Sequence, residues 1–281
     1  MLIAFGSLKA SPGVTTTAQA VAAMWPASGF GQPVLLEADP AGGDVAARFG
    51  LSPAPGLVSL SAAARREHDV GLLAEHAVGL PGGLPVVAAP PAEEAARAAV
   101  RLLGRDGLPL LRAAATDPEL VLVADVGRLQ ADSLAWPVIE AADVLLLVVR
   151  PVLSELSRVI SAAEQLGERL GAAGTRMGLI TVGDGPFPAE EITEATGIAV
   201  TARLPEDTAA AAMLAGRPDP RGAVSRMAGR GGIAKLPLAR AAAALAAQLA
   251  AELFPEDIDH AGITDDVALG DADAEPIGAS A

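Results

Sequence analysis

The sequence predicts an α/β protein in which a mostly parallel sheet of about seven strands has helices on both faces. The first observation is that short aliphatic runs alternate with helical patterns along the chain. The second is that these runs lack polar alternation, which is typical of strands buried in a parallel sheet. The third is that Gly, Pro and Asp follow several of the runs, and ligands bind at this edge of such sheets.

The strands are predicted from aliphatic and β-branched residues. In chain order they cover Leu2–Phe5, Pro33–Leu36, Leu84–Ala88, Glu119–Ala124, Val144–Val149, Met177–Val182 and Ala199–Leu204. The helices are predicted between them from a helical spacing of apolar residues, with Ala prominent. In chain order they cover Thr15–Trp25, Val45–Phe49, Ala92–Leu103, Leu153–Leu170, Pro188–Thr196, Thr208–Ala215 and Leu236–Leu253. Strands separated by helices in this way are expected to run parallel.

Composition excludes several classes of protein. The chain has 281 residues, of which 51% are hydrophobic, but no apolar run approaches the ~20 residues of a spanning helix. We therefore predict no membrane insertion. There is no cysteine, and the three histidines are scattered, so neither disulfides nor a zinc-type site is expected. The first residues lack the basic segment of a signal peptide, which makes a cytoplasmic protein the expectation.

The net charge of −14 is unevenly distributed. From Glu252 onward the chain has nine acidic residues and no Lys or Arg, which predicts a folded domain over 1–253 and a disordered acidic tail over 254–281. The segment Arg217–Arg240 carries six cations against Asp219 alone. Two interpretations stay open. The segment is either a face for a polyanion, which the tail could cover, or a solvated surface before a disordered end.

Lys9 belongs to the most informative segment. The chain has two lysines against eighteen arginines, and Lys9 follows the first predicted strand directly. The segment reads Leu8-Lys9-Ala10-Ser11-Pro12-Gly13-Val14-Thr15-Thr16. An apolar strand, a loop of small residues and a Thr-rich helix start are typical of a phosphate-binding loop, in which backbone N–H groups face an anion. The alternative is a surface lysine in a strand-to-helix turn.

Two carboxylates stand at the ends of predicted strands. Asp39 precedes Pro40 after the second strand, where it would orient a water molecule or hydrated Mg²⁺ near a phosphate. Its alternative role is to cap the next helix. Asp125 ends the fourth strand and is followed by Gly127, the layout of a Walker-B element whose acid holds Mg²⁺ through water.

These three parts, in this order, resemble the ParA/MinD group of P-loop ATPases. The resemblance extends over about residues 1–253, with Asp143–Pro151 similar to the next strand of that family and Leu204–Thr208 similar to its late Pro-containing loop. It implies a three-layer P-loop NTPase fold, ATP and Mg²⁺ as ligands, and a homodimer. The nucleotide-binding residues that it implies are Lys9, Ala10, Ser11, Pro12, Gly13, Val14, Thr15, Thr16 and Pro205. The implied catalytic residues are Lys9, Asp39 and Asp125, and the implied metal ligands are Thr15, Asp39 and Asp125.

The loop also departs from the family pattern Gly-Lys-Gly-Gly-x-Gly-Lys-Thr-Thr. Lys9 matches the signature lysine, which reaches a phosphate across the dimer, but Val14 replaces the general P-loop lysine. Pro12 has no N–H to donate. Without the lysine that Val14 replaces, a charge-assisted contact of about 1.5–3 kcal/mol is lost, which weakens binding by about one to two orders of magnitude. The family's base-recognising Asn is also missing after the sixth strand. Arg128 and Arg150, at strand ends, are the candidates for replacing the charge.

Four functions were considered, of which the first is favoured. It is a nucleotide-dependent or pseudo-ATPase positioning or scaffold protein with weak or absent hydrolysis and a protein partner, such as the pilus-assembly localisers resembling TadZ and CpaE. The second is an active partition ATPase that binds DNA non-specifically through Arg217–Arg240, which the net charge disfavours. A membrane-bound regulator resembling MinD is disfavoured because the Ala-rich Leu236–Leu253 leads into acidic residues. An unrelated enzyme has no motif in its favour.

Overall fold

A computed structural model describes residues 1–9, 12–25, 29–218 and 232–253. These residues form one sheet of eight strands. The strands are β1 (Leu2–Ser7), β2 (Gln32–Glu37), β3 (Val78–Gly79), β4 (Pro85–Val87), β5 (Leu120–Arg128), β6 (Val144–Val149), β7 (Arg176–Val182) and β8 (Val200–Leu204). Their order across the sheet is β3-β4-β2-β5-β1-β6-β7-β8. Every neighbouring pair is parallel except β3 with β4.

Eleven α-helices are present within the described residues. They are α1 (Val14–Met24), α2 (Val45–Arg48), α3 (Leu57–Ala63), α4 (Gly71–Glu75), α5 (Glu93–Asp106), α6 (Leu108–Thr116), α7 (Trp136–Glu140), α8 (Leu153–Ala173), α9 (Ala189–Thr196), α10 (Thr208–Leu214) and α11 (Pro237–Leu253). A short 3₁₀ turn, Ile233–Lys235, precedes α11. None of the helices in the described ranges combines the length and hydropathy that a bilayer span requires.

Two apolar cores lie on opposite faces of the sheet, because successive strand side chains point to opposite faces. Leu2 and Ala4 of β1 belong to the core beneath α3 and α5–α9, whereas Ile3 and Phe5 belong to the core beneath α1, α10 and α11. All of β1 is buried, and so is all of β6. The uniformly apolar strands of the sequence therefore reflect a sheet covered on both sides.

The register places the ends of three strands side by side. Asp125 of β5 pairs with Phe5 of β1 on one side and with Glu37 of β2 on the other. The backbone N–H of Ala38 donates a hydrogen bond of 2.7 Å to the carbonyl oxygen of Asp125. β2 therefore ends at the level of Asp125, while β1 and β5 continue side by side to Ser7 and Arg128. This arrangement positions the site.

The predicted three-layer α/β fold is confirmed, and each of the seven predicted strands is present. The difference is β3, a two-residue antiparallel edge strand, which is too short to leave a pattern in the sequence. Helices α3, α4, α6 and α7 were also not predicted. They have five to nine residues, and a single glycine, Gly107, separates α6 from α5.

Candidate functional site

A cavity of about 690 Å³ opens at the carboxyl ends of β1, β2 and β5. Its walls are the end of β1, the start of α1, the turn after β2, α2, the first turns of α5 and the loop after β5. Three cations, Arg48, Arg97 and Arg128, and three carboxylates, Asp39, Glu93 and Asp132, line this cavity. A polar cavity at this edge of a parallel sheet is the usual place for a ligand.

The start of α1 forms one wall. Gly13 precedes the helix in the left-handed conformation, with φ +97, and its carbonyl oxygen accepts a hydrogen bond of 2.8 Å from the N–H of Thr17. Gly13 lines the cavity together with Val14, Thr15 and Thr16. Because the first N–H groups of a helix have no partner within it, this wall favours an anion.

Ser7, at the end of β1, provides an independent indication of a ligand. Ser7 lines the cavity and is 1% exposed, yet its hydroxyl has no hydrogen-bond partner among the residues that the structure describes. Buried hydroxyls in proteins are nearly always hydrogen-bonded, so an orphan at a cavity wall indicates that a ligand atom completes the bond. A phosphate oxygen fits this position because it accepts a hydrogen bond and carries the charge that the start of α1 favours.

Asp39, Asp125 and Gly127 meet beside this wall. Asp125 accepts hydrogen bonds from the N–H of Gly127, at 3.0 Å, and from the hydroxyl of Thr15. Gly127 has φ +61, and a Cβ built on it would lie 2.6 Å from Oδ1 of Asp39 and closer still to Oδ2. Only a glycine lets β5 and the turn after β2 approach this closely. The turn that contains Asp39 and the end of β5 that contains Asp125 and Gly127 therefore form one structural unit.

Burial favours the protonated forms of Asp39 and Asp125. It raises the pKa of Asp125 to about 6, although the hydrogen bonds from Thr15 and Gly127 favour the ionised form. Burial also raises the pKa of Asp39, against a hydrogen bond of 2.8 Å from the N–H of Ala41. Two carboxylates this close to each other favour binding of a cation.

Glu37 holds the unit in place, a role that the sequence analysis did not identify. Its carboxylate is 2% exposed and accepts hydrogen bonds from the N–H groups of Asp44, Val45 and Ala89, at 3.0–3.1 Å. Burial raises its pKa to about 7. These bonds fix the start of α2 and the end of β4 relative to β2. The alternative in which Asp39 caps the next helix is wrong, because Glu37 supplies those hydrogen bonds.

The fold has counterparts among solved structures. A ParA family ATPase from Chlorobium tepidum TLS superposes with a TM-score of 0.65 at 20% identity, over 88% of this chain and 98% of that one. The cell division ATPase MinD of Pyrococcus furiosus gives 0.62 at 19% identity, over 88% and 97%. The septum site-determining protein MinD of Pyrococcus horikoshii, complexed with Mg-ADP, gives 0.62 at 17% identity, over 88% and 95%. No family model and no curated protein sequence matches the chain.

The chain has the fold of the ParA and MinD ATPases. Within this ParA/MinD fold, Val14 is 7% exposed and packs in the apolar core beneath α1. The position that the resemblance assigns to the general P-loop lysine therefore carries no charge. Lys9 is exposed, and its Nζ donates a hydrogen bond of 3.0 Å to the carbonyl oxygen of Ser154. Lys9 is not among the residues that line the cavity.

Other expected residues are placed as follows. Pro12 is buried, and Pro205 follows β8, but neither lines the cavity, whereas Ala10 and Ser11 lie outside the described residues. Arg128 lines the cavity and Arg150 does not. Most of the Arg217–Arg240 segment and the whole 254–281 tail also lie outside the described part of the chain.

A metal ion at this site would depend on more than side chains. No group of three or more acidic, His or Cys side chains within the described ranges is arranged to enclose a metal ion. Mg²⁺ is ordinarily held by one or two carboxylates, several waters and the phosphates of a substrate. Thr15, Asp39 and Asp125 match that donor set, so the residues present fit Mg²⁺ bound together with a nucleotide.

Proposed function

We propose that this chain is a ParA/MinD-type nucleotide-dependent positioning or scaffold protein that binds Mg-nucleotide weakly and hydrolyses ATP slowly or not at all. The observation that carries the proposal is the junction of Asp39, Asp125 and Gly127 beside the start of α1. Asp39 and Gly127 line the cavity together with the first residues of α1, and the buried Asp125 is hydrogen-bonded to Gly127 and Thr15. The MinD of Pyrococcus horikoshii, which has the same fold, is complexed with Mg-ADP, and this supports the choice of ligand.

Different groups of the chain would bind the phosphates and the metal ion. The first N–H groups of α1 and the hydroxyl of Ser7 would contact phosphate oxygens, while Thr15, Asp39 and Asp125 would hold Mg²⁺ directly or through water. Mg²⁺, when bound with the nucleotide, neutralises phosphate charge and orients the terminal phosphate. The N–H of Ala41 donates a hydrogen bond of 2.8 Å to Oδ1 of Asp39, which holds this carboxylate in place within the turn after β2.

Weak binding and slow turnover follow from Val14. Its apolar side chain is packed in the core and offers nothing to the developing charge on a transferring phosphate. With a contact of about 1.5–3 kcal/mol missing, a site that would otherwise bind at about 1 µM binds at about 10–150 µM. Turnover falls further, because the positive charge of a lysine at this position would stabilise the transition state more than the ground state.

Lys9 and the adjoining face of α8 support a role in a homodimer and in contacts with a protein partner. Lys9 lies beside a groove of about 500 Å³ that is also lined by Arg158 and Arg169. On the same helix Leu153 and Ile160 are 68% and 45% exposed. Leu153 and Ile160 are seven residues apart and so share one face of α8, and an exposed apolar face is typical of a protein interface. Lys9 would reach the phosphate of the partner chain from here, and the partner system would be one of positioning or secretion, such as pilus assembly.

The test compares the two lysines of the chain. Mg-ATP is titrated into wild-type protein, Lys9→Ala and Lys235→Ala, and the mass in solution is measured by sedimentation at each concentration. We expect nucleotide to convert the wild type and Lys235→Ala to dimers, whereas Lys9→Ala binds nucleotide and stays monomeric. A Lys9→Ala protein that dimerises like the wild type would contradict the role of Lys9. A wild type that binds no nucleotide would contradict the proposed function.

A further inference from the structure

Arg48 is the cavity's most enclosed cation. Its side chain is 24% exposed, compared with 47% for Arg97, and Arg128 is classed with the exposed residues. The strength of a charge–charge interaction increases as water is excluded, so the least exposed guanidinium interacts most strongly with an anion in the cavity. The sequence indicates Arg128 and Arg150 for this role but carries no local signal for Arg48.

The position of Arg48 is fixed by its surroundings. It is the last residue of α2, whose start is hydrogen-bonded to the buried Glu37. The carboxylate of Asp44, one turn earlier, lies 2.7 Å from a terminal nitrogen of Arg48, and it is itself 62% exposed. An exposed ion pair of this kind contributes little to stability but restricts the side chain. Arg48 is therefore held at the wall before any ligand arrives.

Its charge acts on the same groups that the proposed function uses. Arg48 lines the cavity with Thr15 and Asp39. A guanidinium also offers up to five N–H donors, in a planar geometry suited to a phosphate. One of its terminal nitrogens is engaged by Asp44, which leaves other donors for a ligand.

We propose that Arg48 supplies, from α2, the positive charge on the nucleotide phosphates that the loop lacks at Val14. This inference rests on the proposed function, because it concerns the same nucleotide. Arg48 is then a binding residue, and the affinity of about 10–150 µM expected for this site includes its contribution. Because it approaches from α2 rather than from the loop, the site retains a cation although Val14 is part of the core.

The test is calorimetric titration of Mg-ATP and Mg-ADP into the full chain and four variants. Arg48→Ala is expected to weaken binding about 10- to 100-fold, and Arg48→Lys to weaken it less, because the charge is kept but the planar donor set is lost. Asp44→Asn removes the ion pair but leaves the cation, and Arg101→Ala removes an exposed cation of α5 that does not line the cavity. Both are expected to stay within about threefold of wild type.

The outcomes separate this inference from the proposed function. If the wild type binds and Arg48→Ala binds within twofold of it, the role of Arg48 is wrong and the proposed function stands. If Asp44→Asn weakens binding as much as Arg48→Ala does, Arg48 acts through the ion pair and the inference is also wrong. If the wild type shows no binding at several millimolar nucleotide, both are wrong. Thermal melts of each variant identify any that fails to fold, and Arg48→Lys then provides the comparison.

Discussion

Gly127→Ala tests the junction on which the site depends. Gly127 has φ +61, a conformation that disfavours any residue with a Cβ by about 1–2 kcal/mol. The added Cβ would also overlap the Asp39 carboxylate, since it would lie 2.6 Å from Oδ1 and closer to Oδ2. Carbon–oxygen contacts without a bond are normally about 3.3 Å or longer, so the carboxylate must move by about 0.7 Å or more.

The expected magnitude combines two effects. Backbone strain contributes about 1–2 kcal/mol, and displacement of a packed group contributes about 1–3 kcal/mol. Gly127→Ala should therefore lower the free energy of unfolding by about 2–5 kcal/mol. The matched control is Gly197→Ala, because Gly197 has φ +69 and its Cβ would meet nothing within 4 Å. That variant should lose only the strain contribution, about 1–2 kcal/mol.

The assay is urea unfolding of the wild type and both variants, followed by nucleotide titration of each at a temperature where all are folded. Gly127→Ala should be the less stable variant and should bind Mg-ATP at least tenfold more weakly, because Asp39 is displaced. Gly197→Ala should bind like the wild type. Equal destabilisation of the two variants together with unchanged binding by Gly127→Ala would refute the close packing of Asp39 on Gly127.

Two further predictions concern carboxylates. Burial raises the pKa of Glu37 to about 7, so the folded protein holds this proton more tightly than the unfolded chain does. The free energy of unfolding should then fall by up to about 3 kcal/mol as pH rises from 5 to 8, and Glu37→Gln should reduce that slope. Urea unfolding at several pH values measures it, and stability that increases with pH in the wild type would contradict the shift. Asp207 accepts hydrogen bonds from the N–H groups of Ala209 and Ala210 at the start of α10. In urea unfolding, Asp207→Ala should lower the free energy of unfolding by about 1–2 kcal/mol, because the helix loses its cap. Glu206→Ala, at an exposed position, should change it little. Equal effects of the two substitutions would exclude the cap.

The sheet and the meeting of the two acids were predictable from the sequence. Aliphatic runs without polar alternation identify buried strands, and a carboxylate at the end of each of two parallel strands lies at one edge of the sheet. That Asp39 and Asp125 end adjacent strands is not contained in either pattern alone. The resemblance to ParA and MinD implied only that both acids belong to one metal site, and the pairing of β2 with β5 makes the two strands neighbours.

Glu37 and Arg48 were missed for a physical reason. A glutamate within a strand usually indicates an exposed position, and nothing local reveals that the N–H groups of Asp44 and Ala89 satisfy it. Arg48 appears in the sequence as the i+4 partner of Asp44, a common surface pair. Its place on the cavity wall depends on where α2 packs. Such contacts between distant segments leave no periodic pattern.

Lys9 illustrates the limit of inference from one chain. The sequence placed it in the loop, where it would serve either its own site or that of a partner. The structure shows a hydrogen bond from its Nζ to the carbonyl oxygen of Ser154, and Lys9 does not line the cavity. The position after Gly13 is occupied by Val14, which packs in the core, whereas Arg48 lines the cavity.

Calorimetric titration of ATP into the full chain, in the presence and in the absence of Mg²⁺, is the most direct test of the central claim. The claim is that this cavity binds Mg-nucleotide weakly through Thr15, Asp39 and Asp125. The account predicts a dissociation constant of about 10–150 µM that weakens at least tenfold when Mg²⁺ is removed. Absence of binding at several millimolar Mg-ATP would contradict it.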